Sequence, residues 1–537
     1  MKKTKLFVTA LISMFAFTCG VKAVEVSTAE ELKSCLTKDG NTCTLKENIE
    51  TSGLELTGQT ITLDLNEKNI TFTKGSRFNV KKGDLTITGK GKISEGVLGT
   101  SPIAISGSTD VKDTKYTTVT INKDVTVEGF YGAFVTINKD ENGISHAYGV
   151  TVNINGTLIG LNKGTDLGSG FYVNGQNKDI TNAPVININK SADLSGDGGS
   201  IYAAGYAVWN INEAKLAGKA FGVGIKAGKF VFNGTTVETN GEKKDSSYDG
   251  NGINGIGAAL QIESNNGYAG EIEIDIKGGS YKSANDGSIY HYSAEKDGKL
   301  ENVKNSLKKL TIENGTFSGD IVFLNDDKVT ITGGTFSADV TKYAADKYIV
   351  KKTNNGYEVT ENKVLTTTDE KITFESEEAL DSDLKLEVNE KTKEELAKGS
   401  EKVTEAYKEN KKVKDVKLIN LYEINVVDGI GVVVMEEGKF TISIAIPESE
   451  QKYSAYKVLY FNESGEIAET IDAKLVDGKV VFTTTHLSTY GIVGYNNVVV
   501  ENPKTSDINL ALILASLGIA SVGAVLVSRK KIAKANR

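Results

Sequence analysis

The chain has 537 residues, with 62 Lys and Arg against 70 Asp and Glu and a formal net charge of −8. That length exceeds one ordinary domain and suits two or three, and 39% apolar with 25% charged residues excludes a disordered or collagen-like chain. Arg occurs only at Arg77, Arg529 and Arg537, so no nucleic-acid partner is expected; with three His and three Cys, no cofactor or metal site is expected either.

Residues 1–23 read as a secretory signal peptide. Lys2, Lys3 and Lys5 precede the apolar run Leu6–Thr18, which is too short to span a bilayer, and Val21-Lys22-Ala23 offers cleavage after Ala23. Residues 24–50 follow as an N-terminal cap. Within them Thr28 and Glu31 form a capping-box pair, with Ser27 and Glu30 as a second register. Leu32, Cys35 and Leu36 share one face of that helix. Cys35 and Cys43 are the only cysteines left after cleavage, and outside the cell they are expected to pair.

Residues 51–360 read as a repeat array. Period-two strands recur, among them Val152-Asn153-Ile154-Asn155, Val185-Ile186-Asn187-Ile188 and Val208-Trp209-Asn210-Ile211. Turns such as Asn155-Gly156 and Asn233-Gly234 follow them, supplying residues that tolerate positive φ. A second motif lies between the copies: Gly170-Phe171-Tyr172-Val173, Ser200-Ile201-Tyr202-Ala203 and Ser288-Ile289-Tyr290-His291. Two strands per repeat describe one coil of a solenoid, whose stacked neighbours bury its apolar face and let Asn amides bond along the stack. This pattern resembles the right-handed parallel β-helix of pectate-lyase-like bacterial surface proteins, across roughly residues 45–345. The expected fold class is thus all-β, with a cap helix at the front and a closing repeat near residues 329–358.

From 361 to 495 the pattern changes to a smaller β-rich, sandwich-like module with one helix in Lys391–Lys412. Strands are expected at Val416–Val427, Gly431–Met435, Phe440–Ile446, Tyr456–Asn462, Ala473–Val476 and Val480–Thr485. The run His486-Leu487-Ser488-Thr489-Tyr490 resembles the last strands of a wall-proximal module, in which His486 is a packing residue rather than a base.

Residues 496–507 form a stalk and a sorting motif, Asn502-Pro503-Lys504-Thr505-Ser506. Residues 508–528 are an apolar stretch rising about 31 Å as a helix, roughly one hydrocarbon core. The basic tail 529–537 holds that end in the cytoplasm. The three-part arrangement resembles the sorting signal of Gram-positive LPxTG-type sortase substrates: Pro503 and Thr505 match, while Asn502 replaces the commoner Leu and Ser506 the commoner Gly. The resemblance implies sortase and a peptidoglycan precursor as partners, attack on the Thr505 carbonyl, and a cell-wall-anchored surface protein that is single-pass in the membrane until sorted. Such processing removes four Lys at the front, and five basic residues with Asp507 at the rear. It leaves 53 basic against 69 acidic residues, a net charge of −16.

Chemistry on the array has few candidates. Lyase-type catalysis wants carboxylates beside an Arg or Lys base, yet Arg77 is the sole Arg of the exported body. The carboxylate pairs Asp193 and Asp197, Asp245 and Asp249, and Asp326-Asp327 read as turn residues. Asp140-Glu141-Asn142-Gly143 lacks the distal bidentate Glu of a calcium loop. Insertions at Asn138–Tyr148, Gly241–Gly255 and Ser293–Lys309 suit recognition instead. Tyr248, Tyr281, Tyr290 and Tyr292 beside them are candidate ligand contacts. The expected function is a non-catalytic adhesin or a binder of glycan or host-matrix ligands; the alternatives are a surface polysaccharide lyase or hydrolase and a structural stalk.

Overall fold

The structure is a computed structural model describing residues 23–498, except 74, 100, 144, 175–179, 243–256, 265–269, 286, 294–305, 325, 377–379, 381–382, 429 and 432–438. The signal peptide before Ala23, the sorting motif Asn502–Ser506, residues 508–537 and Tyr248 lie outside the described residues, as does most of the expected strand Gly431–Met435. Among the described residues no helix is long and apolar enough to cross a membrane. The chain divides into two compact units, one reaching Lys363 and including Ser376–Ser382, the other holding Val364–Glu375 and the chain from Asp383.

The first unit is built from three parallel ladders, visited in turn. One circuit runs Val185–Ile188, Asp193–Gly196, Gly199–Ala203; the next runs Val208–Asn212, Lys215–Gly218, Val223–Ile225. Each strand pairs in parallel with its counterpart one circuit later, Ile186 with Trp209, Leu194 with Leu216 and Ile201 with Val223. We call these ladders 1, 2 and 3, with ladder 1 holding Val185–Ile188, ladder 2 holding Gly199–Ala203 and ladder 3 holding Asp193–Gly196. The circuit therefore has three strands where the sequence pattern predicts two. The third strand is short and buries one large side chain, Leu194 or Leu216, so it carries almost no alternation to detect.

Register puts like on like. In ladder 1, Val152, Ile186, Trp209, Phe230, Ile274 and Leu310 follow one another inside the stack. Aromatic rings form a second internal run in ladder 3, where Tyr281 stacks on Phe317 at 4.8 Å and Phe317 on Phe336 at 4.8 Å. On the outer side of ladder 1 the expected amide chain is present. Asn210 Nδ2 donates to Asn187 Oδ1 at 2.9 Å, Asn187 to Asn153 at 2.9 Å, and Asn153 to Thr120 Oγ1 at 3.2 Å. Asn189 donates to Asn155 beside it. At the ends of ladder 3 strands the chain turns so sharply that a Cβ on Gly218 would overlap the Phe221 carbonyl oxygen.

Helix α1 (Ala29–Leu36) starts on Thr28, whose Oγ1 accepts the Glu31 N–H while the Glu31 carboxylate accepts the Thr28 N–H. Of the two cap registers in the sequence, this one is used. Leu32, Cys35 and Leu36 enter the core, and a disulfide joins Cys35 to Cys43 on the strand Thr42–Leu45. At the other end the hairpin Tyr348–Thr353 and Gly356–Glu361 pairs antiparallel to Gly334–Phe336, ending the parallel series of ladder 3.

The second unit is one continuous nine-stranded sheet rather than two separate sheets; its described pairings are antiparallel. Helix α2 (Lys393–Tyr407), capped by Thr392 and Glu395, lays Val403 against Leu418, Leu421, Leu459, Phe461 and Val493.

Candidate functional site

The connections between ladders differ in length by corner. From ladder 1 to ladder 3 the chain always turns in one to four residues, as between Ile154 and Thr157 or Asn233 and Thr235. All longer connections fall at the two corners that border ladder 2. They include the stretches between Thr136 and Val150, Val173 and Val185, Glu242 and Leu260, and Ser293 and Leu307. Ladder 2 is therefore the side that carries the insertions.

Its outward row runs Phe134, Tyr172, Tyr202, Gly224, Gln261 and Tyr290, one per strand in register. Tyr172 stacks on Tyr202 with centroids 5.3 Å apart, and Phe134 on Tyr172 at 6.3 Å. The two ends of the ring stack Phe134–Tyr172–Tyr202 are covered by cations: the Arg77 guanidinium lies 5.8 Å over Phe134, and Lys226 Nζ lies 5.1 Å over Tyr202. These rings have spent their faces on one another, so they present rims and hydroxyls. Tyr131 packs beside Tyr172 at 4.5 Å; burial, and then the Asp166 carboxylate, push its phenol up to about 12.

A charged centre lies next to this row. Lys226 Nζ is 3.2 Å from Glu263 Oε2, with side chains only 2% and 1% exposed. Tyr292 donates its hydroxyl to Glu263 at 2.9 Å and accepts from Gln261 Nε2 at 2.8 Å. Burial, followed by the Glu263 charge, holds the Tyr292 phenol well above its ordinary value. On the inward side His291 is buried, with Nε2 2.8 Å from Ser264 Oγ and Nδ1 without a hydrogen-bond partner among the described residues. Burial lowers its pKa to about 4.

Among the predicted contacts, Tyr290 is half-buried on the outward row and packs on Tyr292. Tyr281 is a correction. It points inward, has no exposed surface, and donates its hydroxyl to the Gly278 carbonyl; alternation along Gly279–Asn285 places it on the core side. Ala23 is exposed at the start of the first strand. The rows Phe134–Tyr172–Tyr202 and Lys226–Glu263 were not singled out from sequence. Their signal lies in aligning the second strand motif residue by residue, which puts Tyr172, Tyr202 and Tyr290 at one offset.

Of the candidate carboxylates, Asp140, Asp197 and Asp327 have structural partners. Asp197 accepts from Asn162 N–H and pairs with Lys219 at 2.5 Å; burial alone would push it up, but these partners outweigh that and hold it below the usual range. Asp327 pairs with Lys328, and Asp193 is exposed. Asp245 and Asp249 lie outside the described residues. Asp140 turns the small hairpin Asn138–Lys139 and Ser145–His146, accepting the Asn142 N–H. His486 has both ring nitrogens engaged, by Glu469 and the Tyr490 hydroxyl, each at 3.0 Å. Among the described residues no group of three or more His, Cys, Asp or Glu could hold a metal ion. No family model, no characterised protein and no solved structure matches the chain.

Proposed function

We propose that the chain is a wall-anchored, non-catalytic surface protein that binds a glycan or host-matrix ligand along the insertion-bearing side of a right-handed parallel β-helix. One observation carries the binding reading: every long connection borders ladder 2. A circuit of this fold closes with corners of one to four residues. The longer ones are not needed for closure, and clustered loops on a rigid stack make a recognition surface. Three in-register parallel ladders support the pectate-lyase-like β-helix, with α1 as its N-terminal cap and the antiparallel hairpin at its far end.

Export and anchoring rest on the sequence. A signal peptide, the motif Asn502–Ser506, the apolar stretch 508–528 and a basic tail stand in the order a sortase substrate requires. Sortase attack at Thr505, resolved by an amine of the peptidoglycan precursor, leaves Thr505 amide-linked to the wall. The second unit is then the wall-proximal module. The Cys35–Cys43 disulfide fits an oxidising exterior.

Mass spectrometry of wall digests is expected to find peptides ending at Thr505; only full-length, detergent-extracted protein would refute anchoring. For binding, mature chain released from the wall is screened against glycans and host-matrix proteins, with and without Ca²⁺. Retention without cleavage is expected. Release of products from uronate polymers would establish the lyase alternative, and no ligand of any class would leave a stalk.

A further inference from the structure

We infer that a notch at the border of ladders 3 and 2 is a subsite for a neutral pyranose ring. This rests on the reading of the insertion-bearing side as the binding side.

Two adjacent circuits have short connections at this corner, Gly196 to Gly199 and Gly218 to Val223, between two whose connections are longer, Gly160 to Ser169 and Glu242 to Leu260. The outward row of ladder 3 dips at the same place. Ile159, Ser195, Ala217 and Glu238 are register neighbours on four successive strands, and the middle two are small. Short turns and small side chains together open a groove of about 380 Å³, within the range of small-molecule sites.

Its lining is of two kinds. Ile159, Leu161 and the Ala217 methyl form an apolar wall and floor; Ser195, Asp197, Lys219, Glu238, Thr239 and Asn240 supply polar atoms around it. The Lys219 cation in that rim is matched by Asp197, which leaves Glu238 as the excess charge. A pyranose has the same division, with C–H faces and a rim of hydroxyls. Asp197 is already fixed by Lys219 and by the Asn162 N–H, so it offers an oriented charged acceptor without further ordering. Glu238 is exposed and makes no hydrogen bond or ion pair among the described residues, Lys282 on the next strand included. Its carboxylate accepts from hydroxyls and disfavours an anionic sugar. The occupant is thus a neutral hexose unit rather than a uronate.

The full chain is titrated with cellotetraose, chitotetraose and mannotetraose, and with tetragalacturonate, by isothermal calorimetry and ligand-observed NMR. At least one neutral tetrasaccharide is expected to bind, about tenfold or more tighter than the uronate. Ala217→Trp fills the notch and is expected to weaken that binding by about tenfold or more, with circular dichroism unchanged. Glu238→Gln keeps the shape and is expected to weaken it by about three- to tenfold. The inference is overturned if no neutral sugar binds, if the uronate binds equally well, or if Ala217→Trp folds and binds like wild type. Should Ala217→Trp not fold, unchanged affinity in Glu238→Gln overturns it instead. A ligand of another class that tolerates Ala217→Trp would remove the notch and leave the binding side standing. Absence of every ligand would remove both.

Discussion

Acid should loosen the first unit through one buried ring. His291 sits inside ladder 2 with no exposed surface, its Nε2 on Ser264 and its Nδ1 unpartnered among the described residues. Burial lowers its pKa from 6.5 to about 4 in the folded chain. The unfolded chain therefore binds the proton first, and stability is full above the unfolded value and falls as pH drops below it. Integrating the proton linkage gives a loss of about 2 kcal/mol by pH 5 and about 3 kcal/mol by pH 4. Carboxylates whose folded pKa is lowered, such as Asp197 and Asp275, act in a lower window, as pH falls below their unfolded values. The assay is urea unfolding between pH 4 and 8, followed by fluorescence of Trp209, the single Trp of the chain and fully buried in ladder 1. In His291→Gln the slope between pH 6.5 and 5, above the window of those carboxylates, is expected to vanish, whatever the variant's stability at pH 8. An identical slope in wild type and variant would refute the assignment.

Three further outcomes follow from packing. Asn187→Ala removes two amide hydrogen bonds from a half-buried chain and should cost about 1–2 kcal/mol by the same urea assay. Replacing Cys35 and Cys43 together by Ser opens the disulfide loop between them and should cost about 2–3 kcal/mol; an unchanged midpoint on adding reductant to wild type would contradict this. Lys226→Met strands the Glu263 carboxylate in the interior and should cost about 3 kcal/mol or more. Adding Glu263→Gln should recover much of that loss, and double-mutant analysis of the melts checks the coupling.

Much of the architecture was legible because a stacked fold repeats its own environment. Val152, Ile186 and Trp209 share an offset and a neighbour, so alternation in one dimension already marks the ladder-1 core, and Asn153, Asn187 and Asn210 mark its outer amide chain. Short-range chemistry was equally readable: Thr28 with Glu31 capped α1, and Cys35 and Cys43 flanked a gap that a disulfide spans. Strands such as Asp193–Gly196 escaped because a four-residue segment with one large buried side chain has no period. Tyr281 was misplaced because its face depends on the phase of one strand. Composition does not carry that phase, and a shift by one residue reverses it.

The amino-acid order alone therefore established the strand-rich repeat, the N-terminal helix and its cystine pair, since each depends on neighbours a few residues apart or on a recurring offset. Only the tertiary structure decided that the circuit has three sides, that the insertions all border one of them, and that Ser195 and Ala217 leave a notch beside Asp197 and Glu238. Those features arise between strands that lie about 5 Å apart in space but twenty or more residues apart along the chain, where the sequence has no local term to record them.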